Sequence, residues 1–449
     1  MSIAGSDSSG GAGIQADLKT FSALGVHGAC VIASITSQNT TGVQAVFDIP
    51  VAEIGKQFDS VCSDLNVVFA KTGMLSSPEI VRFVSEKVAE YKLLLVVDPV
   101  MAAEAGGELL KREAVSEMAE SLLPVSYAVT PNIFEAEILS GMKIENEDDA
   151  QKAAVKIAET GVRYVIVTGG HLNATDIVYD SVSQKFTLLP GMFVKGGTHG
   201  TGCTFSSALT AHLARGFEFD QACKAAKSFV VNAILYSENI GNGVAPVNPG
   251  GSTIHRLERA AVIENIQSAW SLLKTNSVFS TLTPDAGTNI AMTLPDIFQK
   301  SIRPDYYSSE ILPHLQVSSA EISTDEDADG FGLLQSVTAV FSENIGYPVF
   351  DSGNGLEKLI LSAQEIDITT HACIHLKYAE ETIQVCQKEG FSVQTGGCGS
   401  NDLGGSAPDI IYEVGGLSKS KEGSIHVLGT DAVDAARKII RICDKISRK

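Results

Sequence analysis

The feature that most constrains this chain is an alternation, from its start to about Val244, of short apolar β-type runs with amphipathic helical patterns. VIASIT (31–36), LLLVVD (93–98), YAVTPN (127–132) and YVIVTGG (164–170) read as buried strands, each closed at its C-terminal end by turn residues. The segments 79–91, 113–123 and 148–160 between them read as amphipathic helices. Such alternation builds β-α units, hence an α/β fold with a mainly parallel central sheet and helices on both faces. Ligands of these sheets bind at the carboxyl ends of the strands, where AGSDSSGG, DPVM, TPNIFEAE and TGGH all fall. PVNPGGST (246–253) is the best linker candidate. After it, 257–273 reads as a helix, and the remainder mixes helices with a β-like IHVLG (425–429) and a last helix over 432–446. The 449 residues suit two or three domains of ~150 residues each.

Charge and cysteines exclude several classes. With 53 acidic against 33 basic residues the net charge is -20, which argues against nucleic acid or an anionic membrane as partner. An anionic ligand must then be held locally, by glycine amides, helix N-termini or a metal ion. Eight cysteines lie scattered without a CxxC pair, so neither a zinc ribbon nor a disulfide framework is indicated. MSIAGSDSSGG lacks the marks of a signal peptide. The apolar stretch 93–103 is broken by Asp98 and Pro99 and is too short to cross a bilayer. A cytoplasmic protein is expected.

Two glycine-rich stretches carry the chemistry. AGSDSSGGAG (4–13) follows a short strand and, taken alone, reads as a tight turn, with a functional loop as the alternative. GTHGTGCTF (197–205) is the stronger signal. Its successive backbone N–H groups can form an anion-binding nest at a helix start, able to stabilise a phosphoryl group in flight. A helix N-terminus also lowers a thiol's pKa from about 8.5. Cys203 therefore reads either as the general base beside that nest or as a small buried residue opening a helix. Glu135, after a strand end, reads either as reaching a Mg²⁺ that bridges phosphates or as an ordinary first-turn glutamate.

The motifs AGSDSSGGAGIQADLKTFSALGVHG, TSQNTTGV, KTGML, DPVM, TPNIFEAEILSG, TGGH and GTHGTGCTFSSAL occur in the order of one family. Over roughly residues 1–245 the chain closely resembles the hydroxymethylpyrimidine/hydroxymethylpyrimidine-phosphate kinases of thiamine synthesis, which are ribokinase-like. The resemblance implies an ATP- and Mg²⁺-dependent kinase domain over 1–248, a fold that commonly forms homodimers. It implies that Gly5, Asp17, Gln38 and Met74 hold the pyrimidine. Asp98, Asn132, Glu135 and Thr168 then lie by the ATP phosphates, with Glu135 near the metal. Gly200, Thr201 and Gly202 form the anion hole, and Cys203 is the base. Three departures stand out. Thr168 replaces the family's lysine before the glycines of TGGH, a position where pyridoxal kinases also carry a hydroxyl. Glu104 replaces a common lysine after DPVM. The chain starts only a few residues before AGSD, so a clipped first strand and a shortened N-terminus are expected. A pyridoxal-type vitamin kinase is the alternative within this fold.

TPDAGTNIAMTLP (283–295), IHLKYAEETIQVCQKEGF (374–391) and PDIIYEVGG…SIHVLG (408–429) resemble the archaeal-type thiamine-phosphate synthase domain, over about 256–449. This implies a second α/β domain that joins the pyrimidine diphosphate to thiazole phosphate with release of pyrophosphate. The family's arginine at a helix start, and its histidine one turn on, are missing. Val349 and Gly355 stand there in one alignment, Gly330 and Ser336 in the other. A departing pyrophosphate needs cationic stabilisation. The ligand-holding Asn289, Asp409, Gly415, Gly416 and Lys419 remain, which points to a thiamine phosphate sensor. A working synthase and a domain kept for dimerisation are the alternatives. His371 and His375, four apart in HACIH, match a helical zinc spacing without a third ligand and read as ordinary polar residues. TGGCGSNDLGGS (395–406) reads as a surface loop, with a phosphate cradle as the alternative.

Overall fold

The computed structural model describes residues 1–101, 112–170, 173–191, 193–284, 288–294, 338–342, 348–350, 355–396, 407–414 and 423–448. Glu104, Gly330, Ser336, Gly415, Gly416, Lys419 and most of the 395–406 loop lie outside them. The chain divides into two compact units, Met1–Thr253 and Ile254–Lys449.

In the first unit, β1 (Ser2–Asp7), α1 (Gly13–Ala23), β2 (Cys30–Asn39), β3 (Gly42–Asp48), α2 (Val51–Asp64), β4 (Phe69–Thr72), α3 (Pro78–Glu90) and β5 (Leu94–Val97) come first. Then follow α4 (Arg112–Glu117), β6 (Ala128–Val129), α5 (Ile133–Ser140), α6 (Glu147–Ala158), β7 (Tyr164–Val167), β8 (Asp176–Asp180), β9 (Lys185–Leu189), α7 (Thr201–Ala214) and α8 (Phe219–Leu235). The nine strands form one sheet in the order β3-β2-β1-β4-β5-β6-β7-β8-β9. From β2 to β7 all pairs are parallel, and the edges β3, β8 and β9 are antiparallel.

Both faces of this sheet are apolar, as buried parallel strands require. Successive strand residues point to opposite faces. Leu95 and Val97 of β5 and Val165 and Val167 of β7 meet Phe58 of α2, Val84 of α3 and Ile157 of α6. Val96 and Ile166 face the other way, onto Phe205 and Leu209 of α7 and Ala222 and Ala226 of α8. β1 forms a full six-residue strand between β2 and β4. The chain leaves β1 toward β2 and returns on its other side at β4, so the crevice at the carboxyl ends of β1 and β4 is a topological switch point.

Two expectations change. The segment 113–123 is no single helix: α4 passes into a π turn over Met118–Leu122 and a 3₁₀ turn over Leu123–Val125, where Pro124 removes a backbone donor. PVNPGGST is no free linker. Val247 N–H bonds His199 O at 3.0 Å and Asn248 N–H bonds Ala233 O at 2.9 Å, so 246–248 is tied to the first unit. α9 (Gly251–Leu273) then starts inside the stretch.

The second unit continues with α10 (Phe279–Leu282), β10 (Asn289–Thr293), β11 (Thr338–Ser342), β12 (Pro348–Phe350), α11 (Gly355–Gln364), β13 (Ala372–Lys377), α12 (Glu380–Lys388), β14 (Val393–Thr395), β15 (Ile410–Glu413), β16 (Ser424–Gly429) and α13 (Ala432–Ile446). Its sheet runs β12-β11-β10-β13-β16-β15-β14, antiparallel except for the β14–β15 pair. The sequence therefore gives a second α/β unit of a different kind.

Candidate active site

Asp7, the last residue of β1, organises the loop that follows. Its Oδ1 accepts the Ser9 N–H and hydroxyl, both at 2.8 Å, and its Oδ2 accepts the N–H groups of Gly11 (3.1 Å) and Ala12 (2.8 Å). Burial opposes the charged form, but hydrogen bonds from His199, Ser9 and Ala12 outweigh it and lower Asp7 to about 2. Across the crevice Gly200 opens α7 with φ +88, a left-handed conformation suited to glycine. A Cβ there would collide with Gly11 O, and one on Gly11 would strike the His199 ring. The two glycine-rich loops thus dovetail, backbone against backbone. Thr201, Gly202 and Cys203 form the first turn of α7. Gly202 is exposed, and a Cβ on it would sit 3.8 Å from Asp98 Oδ1.

Beneath this turn lies a buried cluster of charge. Lys71 of β4 is fully enclosed, 2.7 Å from Asp17 Oδ1 and 3.6 Å from Asp98 Oδ2. Asp17 also accepts the hydroxyls of Ser207 (2.6 Å) and Ser2 (2.5 Å). Burial works against the Lys71 cation, but Asp17, Cys203 and Asp98 outweigh it and raise its pKa. Asp98 accepts from Ser206 Oγ at 3.3 Å and from the Cys203 thiol. Burial raises Asp98, against the pull of Lys71.

Cys203 departs from expectation. Burial pushes its thiol well up, Asp98 and Asp17 add to this, and Lys71 with the Gly13 N–H oppose it. The helix start does not decide this pKa, because burial outweighs it and the pull of Lys71. Asp17 is fully buried, and Lys71, Ser207 and Ser2 occupy its oxygens, so it braces the cluster.

The remaining residues gather around the same edge. Gly5 and Met74 adjoin: a Cβ on Gly5 would lie 2.9 Å from Met74 Cε and from Ser34 Oγ. Gln38, half-buried at the end of β2, reaches Thr36 Oγ1 and His199 Nε2, both at 3.2 Å. Asn132 and Glu135 form a reciprocal capping box at the start of α5, each bond 2.9 Å. Thr168, at the end of β7, bridges to Asn132. Burial and the neighbouring Asp98 raise Glu135 to about 8, against hydrogen bonds from Asn132 and Met101. Lys71, Asp7, His199, Ser206 and Ser207 are site residues that sequence reasoning passed over.

The family model for phosphomethylpyrimidine kinase matches residues 7–248, just over half of the chain. The chain belongs to the phosphomethylpyrimidine kinase family. A hydroxymethylpyrimidine/phosphomethylpyrimidine kinase of Bacillus subtilis is 44% identical over 253 residues, 55% of this chain and 93% of that protein. A thiamine biosynthesis bifunctional protein of Geobacter sulfurreducens is 44% identical over 252 residues, 55% of this chain, and the match spans about half (51%) of its length. Among solved structures, an ADP complex of Bacillus subtilis pyridoxal kinase matches with TM-score 0.52 at 38% identity, covering 56% of this chain and 98% of that one. The ribokinase-like resemblance of the first half is thereby borne out.

In the second unit several expectations change. Asp409 is already engaged: Lys438 Nζ bonds its Oδ1 at 2.8 Å, and Ser392 donates its N–H (3.0 Å) and hydroxyl (2.9 Å) to Oδ2. Asn289 opens β10, half-buried. Val349 lies on strand β12, and the next helix starts at Gly355, so Val349 does not stand at a helix start. His371 and His375 are on or beside β13, not on a helix. The His375 ring stacks on His426, centroids 5.2 Å apart, while His371 Nδ1 meets Gln364 Nε2 at 2.9 Å. Among the described residues no group of three or more metal-ligating side chains occurs, and no helix is long and apolar enough to cross a membrane.

Proposed function

We propose that residues 1–248 phosphorylate the hydroxymethyl group of 4-amino-5-hydroxymethyl-2-methylpyrimidine, and then the resulting monophosphate, with ATP. The observation that carries this is the dovetailing of the Asp7–Gly13 loop with the 200–203 turn. It brings the start of α7 against the Asp7–Gly13 loop at the switch point of the sheet, which supports an anion site there. The Bacillus subtilis hydroxymethylpyrimidine/phosphomethylpyrimidine kinase, 44% identical, supports the same reading.

The chemistry is positioning and electrostatics. The substrate hydroxyl attacks the γ-phosphorus in line as the bond to the β-phosphate oxygen breaks. Its proton passes to Cys203 Sγ while the thiol's own proton passes to Asp98, its hydrogen-bond acceptor. This relay removes the need for a preformed thiolate, which burial disfavours. N–H groups at the start of α7 receive the developing charge. Mg²⁺ fits this edge because Glu135 and the neighbouring Asp98 are two buried carboxyls, and Glu135, raised to about 8, would ionise to hold the ion. The ion would offset phosphate charge when bound.

For the second unit, residues 256–449, we propose a thiamine phosphate-binding sensor that adjusts the kinase. Lys438 already neutralises Asp409, and no arginine stands at Val349. Retained synthase activity is the competing reading. For the first unit it is a pyridoxal-type kinase, favoured by the solved neighbour of that activity. Turnover decides between the alcohols. A kcat/KM at least tenfold higher on the hydroxymethylpyrimidine than on pyridoxal supports the pyrimidine kinase, and the reverse ratio overturns it.

A further inference from the structure

His199 touches four segments of the first unit at once. Its ring, 4% exposed, packs on Gly11, and its Nε2 lies 3.2 Å from both Asp7 Oδ2 and Gln38 Nε2. Its backbone pairs with Ala245 and Val247, and Gly200 of the anion turn follows it directly. A carboxylate oxygen beside Nε2 requires a proton on that nitrogen, so Gln38 Nε2 faces another donor.

The other end of the amide has the mirror-image conflict. Thr36 Oγ1 carries one proton, directed at Ser6 O (3.0 Å). Gln38 Oε1, 3.2 Å from Oγ1, then lacks a donor. Half a turn of the amide resolves both. Gln38 Oε1 then shares the single His199 Nε2–H with Asp7 Oδ2, and Gln38 Nε2 donates to Thr36 Oγ1. One N–H and one oxygen lone pair of Gln38 then remain for a ligand. A ring nitrogen next to an exocyclic amino group presents their complement, an acceptor beside a donor. Pyridoxal has no ring nitrogen next to an amino group.

We propose that His199 is a specificity-determining positioning residue: with Thr36 it locks the Gln38 amide in the one orientation that reads an aminopyrimidine edge. The proposal rests on the pyrimidine kinase reading. Asp7 supports it, because its carboxylate keeps the ring proton on Nε2, the nitrogen that faces Gln38. A site built to hydrogen-bond one polar edge discriminates strongly against analogues lacking it, since its own groups are left unpaired.

The test uses full-length protein and steady-state kinetics with Mg-ATP. His199→Ala should raise KM for the hydroxymethylpyrimidine roughly tenfold to a hundredfold, the effect of stranding a buried polar group. KM for ATP and pyridoxal turnover should change at least fivefold less than the pyrimidine KM, so the preference between alcohols narrows. His199→Gln, whose amide supplies an N–H in place of Nε2–H, should restore most of the pyrimidine KM. Thr36→Val removes the opposite anchor, should move KM in the same direction, and gives the answer if His199→Ala does not fold. Equal losses on both alcohols, or unchanged pyrimidine KM in both variants, would overturn the role of His199. A wild-type enzyme that phosphorylates pyridoxal but no pyrimidine would instead sink the parent reading.

Discussion

At the residue scale the site is a problem of charge in a dry place. Cys203→Ala should fold as wild type yet lose roughly 10²–10⁴ in kcat, the usual worth of general acid–base catalysis. Wild-type turnover in that variant would remove Cys203 from the proton path. Lys71 is the cation on which two carboxylates depend. Lys71→Met leaves both uncompensated, and removing one partner of a buried pair costs about 3–5 kcal/mol, measurable by urea denaturation. Glu135 gives a pH signature. Its folded pKa is raised to about 8 from 4.5, so the folded state holds a proton that the unfolded chain releases. Stability from this group is full below 4.5 and is lost as pH climbs toward about 8. Glu135→Gln keeps an acceptor for the capping box and removes the titration. The stability of the wild type relative to this variant should therefore fall across that window, and saturating Mg²⁺ should abolish the difference.

At the scale of elements, what the sequence shows well is what repeats or punctuates. β-type runs with turn residues marked the parallel strands, and the last helix falls on Ala432–Ile446 as its periodicity predicts. Glycine clusters marked both loops of the crevice, because only glycine tolerates φ +88 at residue 200 and the close approach at Gly11. Their interlocking was invisible, since nearly two hundred residues separate them. Long-range partners were equally hidden. Lys71 reads as one more strand residue until Asp17 and Asp98 surround it, and Asp409 reads as a ligand-holding acid until Lys438 is found against it. Gly200→Ala tests the interlock. Forcing a left-handed conformation on alanine costs of order 1–3 kcal/mol, and the collision with Gly11 O must displace one loop. Lower thermal stability together with a raised KM for ATP is expected, and wild-type kinetics would show that the loops are independent.

At the scale of the molecule, two units with different sheets share one chain, and only the first carries an interlocked crevice among the described residues. Supplying the full-length protein with hydroxymethylpyrimidine diphosphate, thiazole phosphate and Mg²⁺ tests the second. A sensor forms no thiamine phosphate but binds it, and binding shifts kinase affinity reciprocally. Robust product formation would make the chain a bifunctional enzyme despite Val349. The most direct test of all is to give the protein hydroxymethylpyrimidine and Mg-ATP and follow the phosphorus spectrum of the products. A pyrimidine kinase yields the monophosphate first and then the diphosphate, with stoichiometric ADP. ADP without a phosphorylated pyrimidine, or no turnover while pyridoxal is consumed, would contradict it.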